Sequence, residues 1–325
     1  MKALVCRALE GIDSLAVGEL PSPAPQAGEV VIQVQSAGVN FPDVLIVQGK
    51  YQFKAPLPFA PGCEVAGTVK EIGEGVTSVK PGDAALAIMM SGGFAQEALA
   101  READVVKLPP GVDPVAASAF LFTYGTSYHA LKDRARLAPG ETLLVMGAAG
   151  GVGLAAVELG KLMGARVIAA ASSAEKLALC RARGADETID YAREDFRERL
   201  KALAPRGVEV VLDPVGGDYS EPALRAMAWK GRYLVVGFAQ NDIPRIPLNL
   251  VLLKGCSLVG VFWGEFRRRE KALFQGNSAQ LVEWLREGRL RPHVSARYPL
   301  ERGAEALRDV AERRVQGKVV ILPGA

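Results

Sequence analysis

The chain has 325 residues, 49% of them hydrophobic, with 39 Lys and Arg against 36 Asp and Glu. That length predicts about two domains, each able to bury its own core. A formal net charge of +3 lacks the basic excess of a dedicated binder of nucleic acid or anionic membrane. Two histidines exclude a multi-histidine metal site, and Cys6, Cys63, Cys180 and Cys256 are too scattered for a zinc knot or a disulfide framework.

The amino terminus lacks a signal-peptide core. The longest apolar run, 142–157, holds four glycines and falls short of the roughly 20 residues of a membrane span. The expectation is a cytoplasmic protein with no membrane segment. To about residue 115, short strand-like runs (2–6, 30–35, 63–72, 84–89 and 105–108) are separated by Pro21, Pro23, Pro25 and turns such as Lys80-Pro81-Gly82-Asp83. Closely spaced strands with few helical periods predict a β-rich, barrel-like or sandwich-like body.

A helix is expected over 115–134. Strands at 142–146, 166–171, 187–189, 208–212, 232–236 and 257–262 then alternate with connections that include helices at 151–163 and 175–183. Gly164 and Gly184 stand where helix C-terminal glycines sit. This alternation predicts right-handed βαβ units and a doubly wound parallel sheet of the Rossmann type. The tail reads as a helix at 277–287, an extended stretch at 292–299, a helix at 301–314 and a strand at 318–322. The simplest topology lets the tail rejoin the first region, so that 122–264 is inserted between 1–121 and 265–325. The run Arg267-Arg268-Arg269-Glu270-Lys271 reads as a solvated helix start, and His129 and His293, without evident partners, read as structural.

The sharpest motif is Gly147-Ala148-Ala149-Gly150-Gly151-Val152-Gly153, between the strand ending at Met146 and the helix 151–163. It departs from G-x-G-x-x-G, because Ala148 holds the first glycine position while Gly150 and Gly153 hold the others. Gly150 lets the backbone approach a pyrophosphate and Gly153 lets helix and strand pack closely. The helix start supplies free N–H groups and a positive dipole. Candidate cofactor contacts are therefore Ala149, Gly150, Gly151, Val152 and Gly153. After the second strand, where an acidic residue would accept the ribose hydroxyls of NAD, stand Ala170, Ala171, Ser172 and Ser173, then Lys176. Small hydroxyls and a lysine accept a 2′-phosphate that a carboxylate repels, which favours NADP. The competing reading has Lys176 covering an exposed helix start beside Glu175. Tyr191, after the third strand, either flanks the same phosphate or packs as a half-buried aromatic.

Several strings, in order and spacing, resemble the medium-chain dehydrogenase/reductase superfamily, specifically its zinc-independent NADPH:quinone oxidoreductase, zeta-crystallin-like branch. They are Gly38-Val39-Asn40-Phe41-Pro42-Asp43, Pro61-Gly62-Cys63-Glu64-Val65-Ala66-Gly67, Val79-Lys80-Pro81-Gly82-Asp83, the glycine loop, Asp213-Pro214-Val215-Gly216-Gly217 and Gly317-Lys318-Val319-Val320. The resemblance spans essentially the whole chain. It implies a β-rich GroES-like catalytic domain (1–121 and 265–325) and an NADP-binding Rossmann domain (122–264), with NADPH as cofactor. It also implies cofactor contacts at Asn40, Thr126, Gly237, Phe238 and Arg313.

Zinc-dependent members of the superfamily place a catalytic cysteine where this chain resembles them at Asn40 and a histidine ligand at Cys63, followed by the matching Glu64. Their structural-zinc lobe follows the position of Met90, where Ser91-Gly92-Gly93-Phe94 leads directly into the next strand. Cys63 and Glu64 alone fall short of a tetrahedral site, so no metal is expected. Without a Lewis acid, reducing a conjugated acceptor is easier than oxidising an alcohol, since the negative charge is delocalised onto oxygen. The resemblance puts Asn40 and Tyr51 on loops facing the nicotinamide, as candidates to donate to that oxygen, with Asp43 orienting one of them. Asn40 as a loop brace and Tyr51 as a turn aromatic are the competing readings.

The expected function is a metal-free NADPH-dependent quinone reductase. One alternative is an enone, 2-alkenal or enoyl reductase on the same scaffold, and another is a non-catalytic NADPH-binding or RNA-binding protein. The strand at 257–262, at the edge of the parallel sheet, predicts a homodimer formed by pairing two such edges.

Overall fold

The computed structural model describes residues 1–324. It is α/β throughout, and the chain divides into two compact units, one formed by residues 1–122 with 278–324 and the other by Thr123–Asn277.

The first unit is built on a seven-stranded sheet, across which run the strands Val294–Pro299, Lys318–Leu322, Glu29–Gly38, Glu64–Ile72, Ala84–Ile88 and Val105–Lys107, while Glu97–Arg101 also pairs with Glu29–Gly38. All pairings are antiparallel except that of the first two strands. Alternating apolar residues turn one face inward, where Ile32, Val65, Phe94, Leu307 and Ile321 form part of a buried core. The tail therefore completes this unit, as its apolar strand at Lys318–Leu322 requires. Two strands, Ala16–Glu19 and Glu97–Arg101, lie outside the expected set. Both are short and carry few buried residues, so their sequence signal is weak.

The expected helix over 115–134 is broken into Pro114–Ser118, Leu121–Tyr128 and a wider π turn at His129–Arg134. The break coincides with a cap supplied from far along the chain. The carboxylate of Glu64, reaching from a distant strand, accepts the N–H of Phe122 at 2.8 Å and so caps the start of the second helix. The Ser118 hydroxyl meets Ser36 at 2.7 Å. Close packing here requires Gly38, where a Cβ would lie 1.9 Å from the Ser118 carbonyl oxygen.

The second unit is a six-stranded parallel sheet in the order Glu187–Asp190, Arg166–Ala171, Thr142–Val145, Val208–Asp213, Met227–Val235 and Ser257–Gly260. Counted along the chain this is 3-2-1-4-5-6, the doubly wound Rossmann order, with its switch point between Thr142–Val145 and Val208–Asp213. The central strands are apolar on both faces because helices cover both. The chain leaves this unit after Asn277, not after 264. The helix Trp263–Arg269 and the following turns pack within it. Phe266 stacks on His129 with ring centroids 3.8 Å apart, and Asn277 accepts from Lys132 at 2.6 Å and donates to Asp133 at 2.8 Å.

The arginines of the run end the helix Trp263–Arg269, and Lys271 opens the next, Lys271–Arg286. Arg267 is buried with its guanidinium 5.7 Å from the Trp263 ring, while Arg268 and Arg269 are exposed and paired with Glu265. His129, read as lacking a partner, is hydrogen-bonded to Asp133 one helical turn on, at 2.9 Å.

Leu144 lies fully buried in the second unit's core with Met146, Ile168 and Val211. Leu144→Ala is expected to cost about 3 kcal/mol of stability through lost burial and the cavity left behind, read as a lower urea midpoint with unchanged slope.

Candidate functional site

In the second unit, the candidate cofactor residues gather at one edge of the parallel sheet. The register sets the strand ends nearly level, with Val145 beside Leu212 and Ala169, Ala171 beside Asp190, and Asp213 beside Val235. The glycine loop follows the first of these ends, Ser172 the second, Tyr191 the third, and Gly237 and Phe238 lie just beyond the fifth. This is where ligands bind in open parallel sheets.

Gly147 turns the chain with φ +56°, a conformation that favours glycine, and the Ala148 N–H then bonds the Ala170 carbonyl at 2.9 Å. Ala148, the departure from the glycine fingerprint, is fully buried, so its methyl packs inward. A Cβ at Gly153 would lie 2.3 Å from the Gly147 carbonyl oxygen, which makes glycine the residue that admits this close helix–strand approach. At Gly150, which caps the helix Gly151–Leu162 without a side-chain bond, a Cβ would meet only that same oxygen, at 3.4 Å. The helix start is thus left clear on its outer side.

Ser173 caps the helix Ala174–Ala182 by accepting the Lys176 N–H at 3.3 Å, while exposed Ser172 lies 3.5 Å from the Lys176 ammonium. Tyr191 packs its ring against Tyr219, centroids 4.7 Å apart. Thr126 is buried in the helix Leu121–Tyr128, and its neighbour Ser127 donates to the Val152 carbonyl at 2.8 Å.

Sequence reasoning had not assigned a role to Asp213. Its carboxylate accepts from the N–H groups of Val215 and Gly216 and from the hydroxyls of Ser220 and Tyr233, at 2.5 to 2.9 Å. It shapes the loop leading to Gly217, and burial together with this carboxylate raises the Tyr233 phenol well above its usual range. An acid followed by Pro-Val-Gly-Gly at a strand end was the available signal.

In the first unit lie Asn40, Tyr51 and Arg313. Arg313, exposed and with φ +58°, lies beyond the helix Gly303–Ala311. Tyr51 is half-buried against the core in the loop after the helix Phe41–Val47. Asn40 caps that helix through a reciprocal box, in which its own N–H donates to Asp43 at 2.7 Å.

The Asn40 side chain is buried beside a charge cluster that sequence reasoning had not drawn together. The Lys318 ammonium donates to the Val39 carbonyl at 2.8 Å and to Asn40 Oδ1, and lies 3.6 Å from Glu64 Oε2. Asn40 Nδ2 donates to Gly38 O and Glu64 Oε2 at 3.3 and 3.4 Å. Asp43 and Glu64 are fully buried and Lys318 is 4% exposed. The only sequence sign was a lysine opening a strand that is otherwise wholly apolar.

Burial raises the Glu64 carboxyl and lowers the Lys318 ammonium from their ordinary ranges, and each charge partly offsets the shift of the other. Burial also pushes Asp43 up to about 6, against smaller opposing contributions from Cys63, the Asn40 N–H and Lys318. Cys63 is buried and its thiol donates to the Met90 carbonyl at 3.4 Å. Among the described residues, no three His, Cys, Asp or Glu gather as a metal site would require.

A two-unit chain with a pyrophosphate-type glycine loop in one unit and a GroES-like β body in the other is the architecture of a nucleotide-dependent dehydrogenase. Residues 26–110 match the alcohol dehydrogenase GroES-like domain and residues 151–277 the zinc-binding dehydrogenase domain. Quinone oxidoreductase-like protein 2 of Bos taurus is 38% identical, over 98% of this chain and 92% of its own. The quinone oxidoreductase of Thermus thermophilus, solved also in complex with NADPH, is 37% identical with a TM-score of 0.86, over 99% of this chain and 100% of its own. The Escherichia coli quinone oxidoreductase complexed with NADPH is 26% identical with a TM-score of 0.93, over the same shares. The chain belongs to the quinone oxidoreductase, zeta-crystallin-like branch of the medium-chain dehydrogenase/reductase superfamily.

Because Asp43 holds its proton to higher pH folded than unfolded, its ionisation weakens the fold as pH rises from about 4 through about 6. Asp43→Asn keeps an acceptor for the Asn40 N–H and removes the ionisation. It is expected to exceed wild type in stability by on the order of 2 kcal/mol at pH 8, the gap closing by pH 4 in paired thermal melts.

Proposed function

We propose that this protein is an NADPH-dependent quinone reductase, moving reducing equivalents from nicotinamide to a small-molecule quinone without a metal. The observation that carries the reading is the carboxyl edge of the parallel sheet. A helix start kept clear by Gly150 there follows one strand, and the Ser172–Lys176 pair follows its neighbour. The relatives' names and their NADPH complexes support it.

The residues fit the dinucleotide. Ala149, Gly150, Gly151, Val152 and Gly153 would receive the pyrophosphate on backbone N–H groups and the helix dipole. Ser172 and Lys176 would hold the 2′-phosphate, with Tyr191 alongside, and no carboxylate stands at the end of that strand to repel it. Thr126, Gly237 and Phe238 would contact the nicotinamide half, and Arg313 the adenosine phosphate. Bound NADPH supplies hydride from nicotinamide C4. Asn40 and Tyr51 would donate hydrogen bonds to the quinone oxygen as it gains charge, which is the one stabilisation such a reduction requires of the protein. The Lys318 ammonium already sets a positive charge against Glu64 and Asn40, and a metal cation placed among them would be repelled.

The protein would act as a cytoplasmic homodimer, with neither nucleic acid nor membrane as partner. No helix among the described residues is long and apolar enough to cross a membrane. The edge strand Ser257–Gly260 exposes Leu258, and the nearby helix Leu248–Lys254 exposes Leu248, Leu252 and Leu253, an apolar surface suited to a second copy.

Purified protein is expected to oxidise NADPH with 1,4-benzoquinone and 9,10-phenanthrenequinone. A rate confined to a 2-alkenal would transfer the assignment to an enone reductase, and tight NADPH binding with no acceptor would make it a binding protein. Lys176→Glu should weaken NADPH binding by about 10- to 100-fold, as loss of a charge-assisted contact predicts, and leave NADH binding nearly unchanged. Light scattering at micromolar concentration should give twice the chain mass, falling to one chain in Leu258→Lys. A monomeric wild type would refute the dimer.

A further inference from the structure

We infer that Lys318 is a positioning residue for quinone reduction, setting the orientation of the Asn40 amide and strengthening its Nδ2 group as a donor toward an oxygen that gains negative charge. The inference rests on the reading of Asn40 as the donor to the quinone.

The geometry selects one orientation of the amide. Lys318 Nζ donates to Asn40 Oδ1, and Glu64 Oε2 lies 3.4 Å from Asn40 Nδ2. Turning the amide over would set its NH2 against an ammonium and its oxygen against a carboxylate, donor facing donor and acceptor facing acceptor. Both buried charges therefore enforce the same arrangement. The ammonium is itself held fast, since it also donates to the Val39 carbonyl at 2.8 Å from a strand that pairs with Glu29–Gly38.

Polarisation follows from the same contacts. A charge-assisted bond on Oδ1, in a site without bulk water, draws electron density toward the oxygen and makes the Nδ2 hydrogens more acidic. The bonds that Nδ2 now makes, at 3.3 and 3.4 Å, are longer than the usual value of about 2.9 Å. The oxygen end of the amide is held by the ammonium, while both Nδ2 hydrogens are spent on these two long bonds, so an incoming oxyanion would take the place of one of them. A carboxylate alone would not achieve this, because it would leave the oxygen end free to accept from any donor.

Lys318 also neutralises buried Glu64, so the test must separate the two duties. Lys318→Met alone leaves an uncompensated buried carboxylate and is expected to melt well below wild type. Lys318→Met combined with Glu64→Gln removes both charges and keeps the acceptor for the Phe122 N–H. This double variant is expected to melt within a few degrees of wild type and to bind NADPH equally in a fluorescence titration. Glu64→Gln alone, which keeps the ammonium on Asn40 Oδ1, should retain kcat with 1,4-benzoquinone, and an equal loss there would overturn the inference. The double variant's kcat should stay about tenfold down at nearly unchanged KM, a smaller loss than the roughly 100-fold cost of deleting an oxyanion donor outright.

A readout independent of quinone chemistry is the NMR resonance of the Asn40 side-chain amide, assigned by its loss in Asn40→Ser. It should lie downfield in wild type and move upfield in the double variant. Recovery of kcat in the double variant, or an amide resonance that stays in place, reduces Lys318 to a counter-charge and overturns the inference. A wild type that reduces no quinone while the resonance moves would instead overturn the quinone reading and leave the orienting role of Lys318 standing.

Discussion

One ammonium group, that of Lys318, is held out of water by the Val39 carbonyl, the Asn40 amide oxygen and the Glu64 carboxylate. Burying a charge costs several kcal/mol unless its partners are in place, so these groups stand or fall together. Glu64 in turn accepts the Phe122 N–H and so decides where a helix begins. Asn40 caps another helix and bonds Asp43. Through these links a single buried cation ties the last strand of the chain to the loop at Asn40 and to the helix start at Leu121, and so sets the backbone on which the candidate donor sits.

The same cluster sets the surroundings of Asn40 and Cys63, the two positions at which the sequence resembles metal-ligand sites of zinc-dependent members. Asn40 and Cys63 are hydrogen-bonded within a packed β body, and the positive charge near them comes from a side chain fixed by the sheet. That charge acts on the neighbouring amide through the polarity of a hydrogen bond, and not through coordination of the reacting oxygen.

The parallel sheet was legible from its own residues. Strands buried on both faces read as short apolar runs, and the helices expected at 151–163 and 175–183 carried their own period, so the six expected strands agree with the observed ones to within a few residues, except that Met227–Val235 begins five residues before the expected 232. The glycine loop was legible for a related reason: close backbone approach demands glycine, and a Cβ at Gly153 would lie only 2.3 Å from a backbone oxygen. The helix expected over 115–134 was misjudged because its interruption is caused by Glu64, 58 residues before the Phe122 N–H it caps. No local period records a cap supplied from so far away.

What the sequence determined by itself was the order of strands and helices and the glycine loop between strand and helix, because these depend on short-range spacing and on residue chemistry within a few positions. What only the tertiary structure decided was the company each buried polar group keeps. Lys318 and Asn40 are 278 residues apart, and Asp213 is tied to Tyr233 twenty residues on. Low dielectric makes such pairings strong and makes their absence costly, yet their identity depends on which strands the fold brings side by side.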